Sequence, residues 1–326
     1  MVSVLDPPPT MLPPEGALNQ VLPTDRLTAS GMPVPELRAE LRRIADVRNA
    51  GTVVATWAQA LGTIGLAVWI GHPLVYFAAF LLMGPAFARF AILGHEAAHK
   101  LLFTNKRWND DVGRWVVAYP AFIPLDAYRR GHFAHHKDEF GPAEPDLNLY
   151  DGYPITGASF RRKLWRDARG TSGWKNLKGL LGAQKSSAAR PLAVRILVMQ
   201  VPLVVAAVLV GKWWLYPVLW LGPWLTVWRV INRLRSIAEH GGMTRSKDRR
   251  QTTHHVRQSW PARFFIVPLN TGWHLAHHVD MGVPWRNLPK LHAELERAGY
   301  ATDALAYPSY RALWRALRSR PETAAA

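Results

Sequence analysis

The chain has 326 residues, 49% of them apolar, with 40 Lys and Arg against 23 Asp and Glu, a formal charge of +17 and no cysteine. The missing thiols exclude disulfides, thiolate zinc sites, Cys-ligated iron–sulfur clusters and a Cys nucleophile, so any metal must be held by His or carboxylate. No zinc-finger, homeodomain or RNP-like signature accompanies the charge, so no nucleic-acid partner is expected; a basic face turned to an anionic bilayer or an acidic redox partner accounts for it.

The N-terminal "PPPTMLPPE" is not a basic-then-apolar leader, and residues up to about Gly31 read as a flexible tail. From Pro35 to Asn49, Leu37, Leu41 and Ile44 recur at helical spacing among arginines. This predicts a short amphipathic helix, lying on the membrane surface or packed on the protein itself. Residues 1–49 are therefore expected to form a tail and one surface helix. The mean hydropathy of −0.07 hides a partition into apolar blocks and basic segments. Gly51 to Ile70 and Pro73 to Leu93 are joined by "GHP", and Ala193 to Val210 and Trp213 to Val230 by "GK". Each block is long enough, at roughly 18–21 residues, to cross a hydrocarbon core. The expected fold is all-α and integral to the membrane: four transmembrane helices in two hairpins, occupying residues 50–290 with a helical cap. The segments Lys100 to Arg190 and Arg229 onward are rich in Lys and Arg, whereas the outer turns hold only Lys212. The positive-inside rule then places both termini and the central loop in the cytosol, with residues 291–326 as a C-terminal helical tail. Trp213 and Trp214 fit an aromatic belt. The alternative, a soluble enzyme with four buried core helices, would need unusually short turns and long blocks. No G-x-G-x-x-G loop or P-loop is present.

Eight of the 13 histidines fall in three clusters: His95 and His99 in "HEAAH", His132, His135 and His136 in "HFAHH", and His274, His277 and His278 in "HLAHH". On a helix, positions i, i+3 and i+4 share one side, so each cluster offers two or three imidazoles to a common centre. A lone H-x-x-x-H is weak evidence; H-x-x-H-H twice is strong. A helix beginning at Pro73 carries His95 about 33 Å along its axis, just beyond a core of about 30 Å. A helix from Trp213 carries Asn232, Ser236 and His240 on one stripe, which makes His240 a ninth candidate ligand. Nine neutral imidazoles exceed what one zinc takes and suit two transition ions, for which iron is the expected metal and dioxygen the co-substrate. His72, His292 and the pair His254 and His255 lack the spacing and read as structural.

With these motifs the sequence resembles the integral-membrane fatty acid desaturase superfamily, over roughly Gly51 to Pro289. "HEAAH", "HFAHH" and "HLAHH" match its three histidine boxes, and "AEHGG" its extra histidine. The second box runs on as "HHKDEFGPAEPD", similar to the family's tail ending in Pro145 and Asp146. The resemblance implies a di-iron, oxygen-dependent oxidoreductase with a four-helix membrane stem and a cytosolic metal-bearing cap. It also implies a role beyond ligation for Glu96 and Asp146. Glu96 would orient a ligand imidazole or pair with an arginine such as Arg130, and Asp138, Glu139 and Asp146 would serve similarly. One departure stands at Ser236, where some acyl-CoA desaturases have an Asn that contacts the metal through water.

The leading expectation is a fatty acyl or acyl-lipid desaturase. Nothing in the chain binds flavin, nicotinamide or an iron–sulfur cluster, so electrons must come from a separate carrier such as ferredoxin. The competing readings are a di-iron hydroxylase or ketolase of alkanes, lipids or carotenoids, a membrane scaffold, and an intramembrane zinc protease. The protease would use His95, Glu96 and His99 with Asp126 as a distant ligand. The run "LVVAAVLV" and Trp220, Trp224 and Trp228 are candidates for a substrate tunnel, more often plain packing or lipid contact.

Overall fold

In the computed structural model, residues 10–19 and 23–322 are described, and they are mostly helical. The first part of the expected N-terminal tail, residues 1–9, lies outside them, together with residues 20–22 and 323–326. From residue 23 onward the chain is no free tail. Thr24 Oγ1 accepts from the Leu27 amide at 2.9 Å, Leu27 bridges to Pro33, and Leu27 is only 1% exposed. Helix α1, Pro35–Leu41, is shorter than the periodicity predicts because Asn287 Nδ2 takes the Leu41 and Arg43 carbonyls at 2.8 and 3.3 Å. Its Leu37 and Leu41 pack against Leu275, Leu291 and Leu295, so the amphipathic face is spent on the protein and not on a membrane surface.

Helices α2, Asp46–Ile70, and α3, Pro73–Ala98, form the first hairpin. Gly71 ends α2 at φ +71°, and His72 caps α3 by accepting from the Leu74 amide at 3.2 Å. Val54, Leu61, Leu66 and Trp69 of α2 are exposed. Asp46–Ile70, Pro73–Ala98 and Arg190–Leu209 are each long and apolar enough to cross a membrane. The last consists of α9, Arg190–Val198, and α10, Val201–Leu209, interrupted before Pro202, which has no amide hydrogen to donate.

The fourth apolar block departs from expectation. Instead of one helix from Trp213, it holds a π-helical turn at Tyr216–Leu221, the short α11 at Gly222–Leu225, and a break at Thr226 (φ −122°, ψ −82°). Pro217 and Pro223 remove amide donors there, and Thr226 Oγ1 instead donates to the Gly222 carbonyl at 2.7 Å. Helix α12, Val227–His240, then continues against α3. A Cβ added to Gly84 would stand 2.4 Å from Val227 Cγ1, so glycine there permits the close crossing.

Between the hairpins lie α4, Lys106–Asp111, a π-helical stretch at Val112–Ala118, α5, Leu125–Lys137, and α6, Leu147–Tyr150. Then come α7, Gly157–Ala168, and α8, Thr171–Ala183. After α12, strand β1, His255–Val256, is succeeded by α13, Trp260–Phe265, α14, His274–Val279, and α15, Leu288–Arg297. Strand β2, Ala306–Tyr307, pairs in parallel with β1, and α16, Tyr310–Ala316, closes the chain. Leu313 and Leu317 are buried, and Trp314 Nε1 donates to the Leu234 carbonyl at 3.0 Å. The C-terminal segment is thus part of the body. The expected boundaries at 49/50 and 290/291 fall inside α2 and α15.

Candidate metal centre

Four helices deliver nine imidazoles to one buried volume: His95 and His99 from the end of α3, His132, His135 and His136 from α5, His240 from the last turn of α12, and His274, His277 and His278 from α14. All nine side chains are buried. The end of α3 is fixed by Arg129, whose guanidinium donates to the Ala97 and Ala98 carbonyls at 2.8 and 2.9 Å and to Asp110 at 2.7 Å. Helix α14 is fixed by Asp280, which accepts from Arg38 at 2.8 Å and Arg42 at 2.6 Å.

The imidazoles form two sets. In the first, His99 and His132 Nε2 are 2.8 Å apart, His132 and His136 3.1 Å, His136 and His277 3.0 Å, and His277 and His95 3.1 Å. The second gathers His135, His240 and His278, with His274 Nε2 at 3.1 Å from His240 and 3.0 Å from His278. Five Nε2 atoms converging within 4.8 Å of one another form a donor set that could hold a metal ion. Burial pushes His132, His136, His274, His277 and His278 well below the usual imidazole range and His99 down to about 3, leaving the neutral form that ligates metal.

Three of the Nδ1 atoms have hydrogen-bond partners, which turn their Nε2 atoms inward, whereas those of His95 and His274 are buried without one among the described residues. His135 Nδ1 is 2.8 Å from Glu144, His278 Nδ1 2.6 Å from Glu139, and His240 Nδ1 donates to the Thr252 carbonyl at 2.8 Å. Glu139 is held in turn by Arg249 at 2.5 Å. Burial lowers His135 as well, but the Glu144 hydrogen bond and charge outweigh it and raise this imidazole. Glu239 lies 3.6 Å from His274 Nδ1, and Glu96 3.9 Å from His95 Nδ1.

Glu96 therefore stands on the outer side of His95, and the arginine charge acting on it is Arg286, not Arg130. Asp138 pairs with Arg245 at the rim and reaches no imidazole in the described hydrogen bonds. The Asp146 amide donates to Glu144 Oε1 at 3.1 Å, and its carboxylate lies within 4.8 Å of the ligand atoms of His135 and Glu144, where its charge helps raise His135. Sequence patterning did not single out Glu144, Glu239, Arg249 or Thr252; Glu239 precedes a ligand candidate, but Thr252 contributes only a carbonyl, which no sequence pattern marks. Ser236 donates to the Asn232 carbonyl at 2.8 Å. Asp126 is bound by Arg114 at 2.8 Å, with Arg129 at 3.6 Å, which takes away the third ligand that a protease would need.

The small cavity, about 140 Å³, shares His95, Tyr128, Asn232 and Arg235 with an apolar one of about 710 Å³. The larger is walled by residues such as Ile92, Phe122, Leu192, Ile196, Trp224 and Trp228, with Lys175 and Arg229 also in its lining. Trp224 and Trp228 thus border a cavity as the tunnel reading required, whereas Trp220 packs on Trp57 and Phe87. In "LVVAAVLV", Val204, Val205, Val208, Leu209 and Val210 face outward.

Residues 68–311 match the family model described as fatty acid desaturase. The chain is 25% identical to dihydrorhizobitoxine desaturase of Bradyrhizobium elkanii over 269 residues, 77% of this chain and 75% of that protein. It is 23% identical to sn-1 oleoyl-lipid 12-desaturase of Arthrospira platensis, over 70% of each chain. Against the chloroplastic omega-6 fatty acid desaturase of Spinacia oleracea the identity is 25%, over 78% of this chain and 61% of that protein.

Proposed function

The chain belongs to the fatty acid desaturase family, and on that premise we propose that it is an oxygen-dependent acyl-lipid desaturase with two iron ions held by its nine clustered histidines. The observation that carries this reading is the pair of imidazole sets, of five and four, with His95 of the first lining an apolar cavity of about 710 Å³. His95, His99, His132, His136 and His277 would hold one ion, and His135, His240, His274 and His278 the other. Iron bound there would supply the activation of dioxygen and the C–H oxidation that no side chain provides.

The protein's own residues supply the rest. The apolar walls hold an acyl chain and keep water from it, within the size range of small-molecule sites. Lys175 and Arg229 offer cationic partners for an acidic or polar head group, and Arg229 is steadied against Trp224 at 4.1 Å, whereas Arg235 is paired with Glu239 at 3.0 Å. Glu96 and Asp146 are assigned positioning roles, Glu96 beside His95 and Asp146 through Glu144 to His135. Removing two hydrogens while dioxygen becomes two waters requires two further electrons, which we assign to a separate carrier such as ferredoxin docking on the basic cytosolic face. In this reading the chain crosses the membrane four times in two hairpins. Gly71 and Gly211 lie at the helix ends remote from the histidines, and the Lys- and Arg-rich segments on the histidine side support a cytosolic cap and termini.

The test is turnover of the iron-loaded protein with ferredoxin, reductant and a membrane lipid extract, read by mass spectrometry. A product lighter by two hydrogens is expected. A product heavier by one oxygen would assign the protein to the hydroxylases, and absence of turnover with every reductant would overturn the reading.

A further inference from the structure

A second cluster of ligand atoms lies apart from the nine histidines. His255 stands on β1, while His292 and Glu296 occupy positions i and i+4 of α15 and therefore share one face. His255 Nε2 and His292 Nε2 are 3.0 Å apart, and His292 Nε2 is 3.5 Å from Glu296 Oε1. One ligand atom from each of the three lies within 4.8 Å of the other two. Tetrahedral ligands of a zinc ion are separated by about 3.3 Å at zinc–nitrogen distances of about 2.0–2.1 Å, so the triangle needs only small shifts to take one.

The surroundings fit a ligand. The three residues line a cavity of about 260 Å³ together with Gln258, whose buried Oε1 has no partner among the described residues. The His292 side chain is 6% exposed and that of Glu296 54%, so the site is walled by protein on one side and reachable from solvent on the other. Burial holds both imidazoles down to about 4, in the neutral form that binds metal.

We propose that His255, His292 and Glu296 form a separate divalent-metal site for zinc, with water completing the coordination. Two imidazoles and one carboxylate are a recurrent zinc donor set. Zinc here clamps β1 to α15. That matters because β1 ends the segment that orients His240: Thr252 accepts from His240 Nδ1, and the His254 amide donates to the Glu239 carbonyl at 2.9 Å. The clamp thus steadies one wall of the histidine centre without contributing a ligand to it.

The test uses the full-length, iron-loaded protein, titrated with zinc chloride against a chromophoric chelator, with zinc and iron then measured after gel filtration. Wild type is expected to retain about one zinc per chain beyond its iron. His255→Ala with His292→Ala should lose that zinc and keep the iron, and Glu296→Gln should weaken zinc binding on the order of tenfold or more. Equal zinc in wild type and the double variant, or no retained zinc in wild type, would overturn the proposal and leave an imidazole–imidazole hydrogen bond. If the double variant also loses its iron, Glu296→Gln decides, and an unchanged zinc affinity would then overturn it.

Discussion

Replacing Glu144 with Gln removes the carboxylate charge from His135 Nδ1 while preserving shape. Iron affinity should fall about 10- to 100-fold, as for other outer-shell partners of ligating histidines, measured by iron titration. Asp146→Asn should lower iron affinity less than Glu144→Gln, because it keeps the backbone amide that donates to Glu144 and removes only a charge near His135. Asp110 carries a pH dependence. Burial pushes its carboxyl up, but hydrogen bonds from Lys100 and Arg129 overcome this and bring it down to about 2. Its stabilisation is therefore full above its unfolded pKa of about 3.9 and is lost as pH falls through about 2. Thermal unfolding in detergent should show that loss in wild type and a flatter acid limb in Asp110→Asn. At this scale the imidazoles were legible because i, i+3 and i+4 repeats declare a shared face. Their outer partners were legible only in part: Glu139, one of the acids expected to orient an imidazole, meets His278, whereas Glu144 reaches His135 only through the loop after α5.

At the scale of elements, α3 and α12 pack against each other at Gly84, and each presents a clustered histidine, His95 and His240, near its end. Gly84→Val would drive its side chain into Val227 and should destabilise the protein by about 1–3 kcal/mol, read as a lower Tm in detergent. Apolar length and charge asymmetry made the first hairpin legible to within a few residues. The fourth block was not legible as built, because hydropathy counts Pro217 and Pro223 by their apolar surface and is blind to the amide donors they lack. The expected stripe of Asn232, Ser236 and His240 survives on α12 because it lies wholly beyond the break at Thr226. Helix α1 was misjudged in length for a similar reason: its stop is the Asn287 side chain, distant in sequence.

At the scale of the whole molecule, the proposed topology puts the histidines and both chain ends on one side of the membrane and the turns at Gly71 and Gly211 on the other. These 326 residues hold no cysteine, so single introduced cysteines report cleanly on side. In intact cells a membrane-impermeant maleimide should label Lys212→Cys and spare Arg318→Cys; the reverse pattern would invert the topology. The central claim, two iron ions on nine histidines, is tested most directly by the iron content of the purified full-length protein, wild type against His135→Ala. About two irons per chain are expected in wild type, with a sharp loss in the variant. Iron absent from the wild type, or present equally in both proteins, would refute the di-iron centre.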